Sequence, residues 1–114
     1  MTYNFYEEIR SALTELGGVK SVTRGWPKSL ASKTLPCIAV EKASETPADF
    51  RDDDEHLTEI EYYIRLFADK AEQIDTIAPE VDAKMRKLGY QRTLTYDAGE
   101  SDVRICHMRY RKYV

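Results

Sequence analysis

The chain has 114 residues, of which 42% are hydrophobic and 32% charged, with 17 Lys and Arg against 20 Asp and Glu. Those proportions exclude a disordered chain and a membrane-embedded one, and a formal charge of −3 excludes a polycation built for nucleic acid. One domain spanning 1–114 is the expectation from length, and two histidines with two cysteines leave little material for catalysis or a metal site.

No run approaches the roughly 18 consecutive apolar residues that a spanning helix needs. Met1–Glu8 lacks the basic start and apolar stretch of a signal peptide, so a cytosolic product, or a part of something assembled there, is expected. Cys37 and Cys106 lie far apart and read as buried free thiols.

Phe5, Ile9, Ala12, Leu13 and Leu16 share one face of a first helix. Asn4 and Glu7 have capping-box spacing, and Gly17-Gly18 stops the helix. Val19–Arg24 alternates weakly, as a short strand would. Gly25–Pro36 reads as a polar loop carrying Trp26, the single tryptophan, which either folds back as a core anchor or stands out as an interface anchor.

Cys37–Lys42 is a strand, Ala43–His56 an acidic loop, and Leu57–Phe67 the strongest strand. In that last strand Thr58, Ile60, Tyr62, Ile64 and Leu66 form a greasy side, and Leu57, Glu59, Glu61, Tyr63 and Arg65 an amphipathic one. A second helix opens at Asp69 with Glu72 in capping-box spacing. Its stripe is Ile74, Ile77, Ala78, Val81, Met85 and Leu88; Gly89 stops it, and Pro79 predicts a kink or a break. Tyr90–Tyr96 and Val103–Tyr113 are strands joined by a loop at Asp97–Asp102.

The order α-β-β-β-α-β-β gives an α+β fold. Its sheet should be antiparallel, of about four or five strands, with both helices on one face. The pairs within 37–67 and 90–113 should each be antiparallel.

Charge is distributed unevenly. Glu41–Glu61 holds nine acids against two bases, a local −7, with Asp49, Asp52, Asp53, Asp54 and Glu55 at its centre. The spacing of those acids fails the EF-hand pattern, so a solvated loop or an electronegative partner surface is expected rather than a metal site. Lys84–Val114 holds eight bases and three acids, a local +5, leaving −8 on the rest of the chain. Arg104, Arg109, Arg111, Lys112 and Tyr110 are the candidate interface residues on this basic hairpin. Such a surface could meet the acidic loop of a neighbouring copy, because a head-to-tail ring joins two different patches. It could also bind single strands by stacking and phosphate contacts.

Nothing resembling a nucleophile with its base is present. His56 and His107 stand away from any Ser or Cys motif, Cys106 and His107 point to opposite strand faces, and Glu59-Ile60-Glu61 lacks the lysine that usually follows a nuclease acid pair. No enzyme activity and no cofactor are expected.

Three phrases resemble one family. Leu35-Pro36-Cys37-Ile38-Ala39-Val40-Glu41 follows the opening helix. Glu61-Tyr62-Tyr63-Ile64-Arg65-Leu66-Phe67-Ala68 runs into the helix with Ile77-Ala78 and Val81. Met85-Arg86-Lys87-Leu88-Gly89-Tyr90-Gln91-Arg92-Thr93 leads into a hairpin ending Arg109-Tyr110-Arg111. Together they resemble the small tail-completion or tail-terminator proteins of long-tailed bacteriophages. The resemblance implies a ring, often of six copies, in the virion tail or neck. Such a ring caps the tail tube and offers a surface to a head-completion or connector protein, while DNA passes through without specific binding. It implies no membrane partner, and an acidic loop suits a lumen that does not hold DNA. The alternative expectation is a nucleic-acid-binding or regulatory α+β module using the basic hairpin.

Overall fold

In the computed structural model, which describes residues 3–51, 54–100 and 102–114, five strands form one sheet with two helices on one face. Side chains of Ser32, of residues 48–51 and 54–56, and of Glu100 are outside that description. The elements are α1 Tyr6–Thr14, β1 Ser21–Arg24, a 3₁₀ turn Ser32–Thr34, β2 Cys37–Arg51, β3 Asp54–Ala68, α2 Ala71–Lys87, β4 Gln91–Glu100 and β5 Val103–Tyr113. The order α-β-β-β-α-β-β and the α+β class are as the sequence predicts.

The sheet is mixed rather than antiparallel throughout. Its order is β1-β2-β3-β5-β4, and β1 runs parallel to β2 while the other neighbours are antiparallel. A parallel pair needs a crossover of about a dozen residues or more. Segment 25–36 is that crossover. From β3 the chain crosses by α2 to β4, and β5 returns between them, so β3 and β4 form a split βαβ unit.

The core lies between the helices and one sheet face. Ile9, Leu13 and Leu16 of the first helical region and Ile74, Ile77, Val81 and Met85 of α2 meet Ile38, Val40, Ile60, Tyr62, Ile64, Leu66, Met108 and Tyr110. Each large aliphatic side chain contributes roughly 1.5–3 kcal/mol on full burial. A smaller cluster sits on the opposite face, where Leu35, Cys37, Ala39 and Phe67 pack with Val103 and Ile105. Cys37 and Cys106 are both free and buried, as their apolar settings predict.

Several boundaries differ from the sequence pattern for local reasons. The N-cap of α1 is Phe5, which has no side-chain cap, so the capping box expected of Asn4 and Glu7 is not formed; Asn4 Oδ1 accepts the Tyr6 N–H at 3.1 Å from one residue before the cap. At α2 the reciprocal partner is Gln73, whose Oε1 accepts the Lys70 N–H at 3.3 Å, one residue beyond the Asp69/Glu72 pair. The helix continues through Pro79, which lies exposed, as does Asp75, the residue whose carbonyl loses its N–H partner. Within the segment 97–102 expected as a loop, residues 97–100 belong to β4 and Asp102 is a turn residue.

The largest departure is at 43–56, expected as a loop. Here β2 and β3 stay paired up to Arg51 opposite Asp54, with register shifts between Lys42/Ser44, Pro47/Asp49 and Asp49/Phe50. The sheet beside this pair ends at Tyr113 opposite Glu59 and Val114 against Thr58. Beyond that point β2 and β3 continue as a two-stranded arm. The molecule consequently measures 53 × 25 × 23 Å, with a radius of gyration of 15.1 Å. A compact chain of similar length has a radius of gyration of about 13 Å.

Candidate functional site: the open sheet face, the arm and the Trp26 groove

The sheet face away from the helices carries rows of side chains set by register. Arg65 stands beside His107, which pairs with Tyr96; Tyr63 stands beside Arg109, which pairs with Leu94; Glu61 stands beside Arg111, which pairs with Gln91. Diagonal neighbours on a pleated face reach one another, and here cations and rings alternate. The Arg65 guanidinium lies 5.2 Å from the Trp26 ring and 5.0 Å from the Tyr63 ring, and Arg109 lies 5.5 Å from that same tyrosine. Tyr96 stacks on His107 at 4.6 Å.

Acids occupy the same face. Arg109 Nε donates to Glu61 Oε2 at 2.7 Å and its Nη2 binds the same oxygen; Arg65 pairs with Glu41 at 3.4 Å. The Tyr113 hydroxyl donates to Glu59 Oε2 at 2.9 Å, which lowers the Glu59 carboxyl and raises the phenol. Arg65 and Arg109 are thus paired with Glu41 and Glu61, whereas Arg111 bonds Gln91 and Glu59 bonds Tyr113. Burial, and then the nearby Arg65, hold His107 below its ordinary value, so it adds no charge at neutral pH. Two of the three arginines on this face are therefore held in ion pairs.

The five candidate residues of the basic hairpin divide between two faces because alternate strand residues point oppositely. Arg109 and Arg111 are on the open face; Arg111 bonds Gln91 Oε1 at 3.3 Å. Tyr110 is wholly buried on the helix side, where its hydroxyl donates to Asp82 Oδ1 at 3.0 Å. Burial in that apolar setting, with Asp82 beside it, raises the phenol. This corrects its assignment to a surface: Tyr110 is a core residue. Lys112 donates to the Leu88 carbonyl at 2.8 Å and lies over the Phe5 and Tyr90 rings, so it too is engaged within the fold. Arg104 is exposed near the start of α2, beside Ala71 and Asp75.

The acidic group falls on the arm. Asp49 pairs in register with Leu57, Asp54 with Arg51, and Glu55 with Phe50. Asp52 and Asp53 lie outside the described residues. Among the described residues, none between Glu41 and Leu57 joins either apolar cluster, and no three His, Cys, Asp or Glu side chains converge as metal ligands.

Trp26 is 56% exposed and meets Phe67 edge-on at 5.4 Å. It is therefore neither swallowed by the core nor free of the sheet. With Leu30, Ala98, Val103 and Ile105 it walls an open groove of about 640 Å³, and Asp102 is the one acid among the described residues lining it. The sequence pattern named Trp26 but not this groove, since Val103 and Ile105 read only as strand residues. One signal was available: no acid occurs between Glu15 and Glu41, while Lys20, Arg24, Lys28 and Lys33 all do. The segment that carries Trp26 is thus the complement of the arm.

No described helix is long and apolar enough to cross a membrane. No protein-family model matches the chain, and no curated protein matches it.

Proposed function

We propose that this chain is a self-associating structural component, a tail-completion or tail-terminator protein of a long-tailed bacteriophage. In this reading it forms a ring in the virion neck or tail, assembled in the host cytoplasm. The ring caps the tail tube, offers its other side to a head-completion or connector protein, and lets DNA through without specific contacts.

The observation that carries the reading is the arm. A two-stranded ribbon in water is marginal by itself, and a third strand, a helix or a partner usually supports it. This one extends past the end of β5 with no share in either apolar cluster among the described residues. A protomer that maintains such an extension uses it for contact. Edge strand β4 supports the same reading, since residues 91–99 are all exposed and the outer ladder is open. Such surfaces suit assembly and need no catalytic group.

The nucleic-acid alternative draws on half-exposed Tyr96 and Tyr113 beside Arg111. The pairing of Arg65 with Glu41 and of Arg109 with Glu61 weighs against it.

Sedimentation velocity and negative-stain microscopy of the purified chain, alone and with a polymerising tail-tube protein, test the proposal. A closed ring with a central opening and an arrested tube length are expected. A chain that stays monomeric and leaves tube growth unchanged would refute it.

A further inference from the structure

We infer that the two edges of the sheet join between copies: β1 of one protomer adds as a further strand to segment 95–98 of β4 in the next. This rests on the self-association reading above and assigns it two contacting surfaces.

Three observations converge. The first is direction and level. β1 runs parallel to β2, and β2, β3, β5 and β4 reverse in turn, so β4 runs opposite to β1. A copy rotated about an axis along the strands keeps those directions, and its β1 meets β4 as an antiparallel neighbour. Register carries each β1 residue across the sheet to a β4 residue at the same level. Ser21, Cys37, Phe67, Ile105 and Ala98 form one row, and Arg24, Val40, Ile64, Met108 and Thr95 form another, with no register shift between the two rows. Rotation alone therefore sets Ser21 opposite Ala98 and Arg24 opposite Thr95. A contact that needs no slide along the strands can close on itself, whereas a slide repeated from copy to copy winds into a helix.

The second is the state of the edges. Neither strand has a second neighbour in the sheet, and among the described residues no backbone hydrogen bond leaves the outer side of Ser21–Arg24 or of residues 95–98. Sheet edges are commonly guarded by lysine, proline or a bulge. The one shift in β4 lies between Arg92 and Leu94, and from Leu94 to Ala98 the ladder is regular, lacks Lys and Pro, and exposes Leu94 and Tyr96. The third is the side-chain fit. On the open face this register sets half-exposed Tyr96 opposite Thr23, an aromatic ring beside a β-branched residue. On the helix face Arg24, which lies over Tyr6 of its own copy, comes diagonal to Asp97, within reach of a long side chain. Arg24 and Asp97 are both exposed, and neither forms an ion pair among the described residues.

The test uses full-length chains. One carries Ser21→Cys with Cys37→Ala, because Cys37 faces Ser21 on β2; the other carries Ala98→Cys. The remaining native cysteines are buried and slow to react. Directly opposed residues of an antiparallel pair have Cα atoms about 4.5–5.5 Å apart, which suits a disulfide. Within one copy the two positions are four strand spacings apart, about 19 Å at roughly 4.8 Å each, which forbids one. Mixed under mild oxidation, the two chains should link at least tenfold faster than a control pair in which Gln91→Cys replaces Ala98→Cys. A rate equal to the control overturns the inference.

A second measurement keeps every native cysteine. By sedimentation, Arg24→Asp and Asp97→Arg chains should each associate at least tenfold more weakly than wild type, and an equimolar mixture should regain the loss, because each then offers the other an opposite charge. Equal association in all three samples overturns the inference.

A chain carrying Ser21→Cys, Cys37→Ala and Ala98→Cys together separates this inference from the ring. A ladder of linked multimers is expected; linkage that stops at two copies overturns the inference. Rings seen by microscopy without this cross-link overturn the edge contact and leave the ring standing. A cross-link that gives only open filaments overturns the ring and leaves the contact.

Discussion

The Tyr110 hydroxyl donates to Asp82 Oδ1 at 3.0 Å, linking the inner strand β5 to the middle of α2 beneath the sheet. Asp82 also holds Arg86 at 2.8 Å, so one carboxylate joins a strand and two turns of helix. Tyr110→Phe removes the bond without leaving a cavity. The expected cost is about 1 kcal/mol, seen as a lower urea midpoint with an unchanged slope. Self-association measured on the same samples should be unaffected, because the residue is wholly buried.

Arg109 and Arg111 should respond differently to charge reversal. Arg109→Glu places a second acid against the nearly buried Glu61 and removes the cation over Tyr63. It should lower the thermal midpoint of the protomer itself. Arg111→Glu loses a bond to Gln91 at the surface and sets an acid opposite Glu61 without breaking its ion pair, so it should shift the midpoint less. Calorimetry of both variants in dilute solution checks this, and equal midpoints would remove Glu61–Arg109 as a folding contact.

His107 makes stability depend on pH. Its folded pKa is held below the ordinary value by burial and by Arg65, so the unfolded chain takes up the proton first as pH falls below about 6.5. The stabilisation is full above that pH and is lost as pH falls through the folded value. His107→Gln, which cannot be protonated, should flatten the thermal midpoint across pH 7 to 5. An identical slope in wild type and variant would show that other groups set it.

Gly99 is the residue that lets β4 turn toward β5. Its φ of +152° disfavours side chains, and an added Cβ would lie 2.5 Å from the Val103 carbonyl oxygen. Gly99→Ala should cost about 1–3 kcal/mol in denaturant unfolding. Gly17→Ala, with open space around its Cβ position, should change stability far less.

The fold was legible wherever burial wrote a period into the chain. Ile74, Ile77, Val81 and Met85 mark α2, and the alternation from Thr58 to Leu66 marks the greasy side of β3, because each faces one continuous core. The arm was not legible because its ladder rests on backbone hydrogen bonds, which leave no side-chain pattern, and its acids and Pro47 have low strand preference. The direction of β1 was hidden for a similar reason: Ser21–Arg24 buries only Val22, and four residues cannot declare a neighbour. At the candidate site, Trp26 stood out by composition alone. Its groove depends on Leu30, Ala98, Val103 and Ile105 from three separate segments, which only the strand order β1-β2-β3-β5-β4 brings together.

The three register shifts along β2 and β3 have a geometric consequence. Each bulge bends a ribbon and adds twist, so the arm leaves the sheet at an angle fixed by where Lys42, Pro47 and Asp49 interrupt the ladder. In a ring whose copies meet through the arm, that angle is one of the quantities that set the turn from one copy to the next. Deleting Ala43 removes the first of the three shifts and redirects the arm, so it should convert a closed ring into one of another size or into a helix.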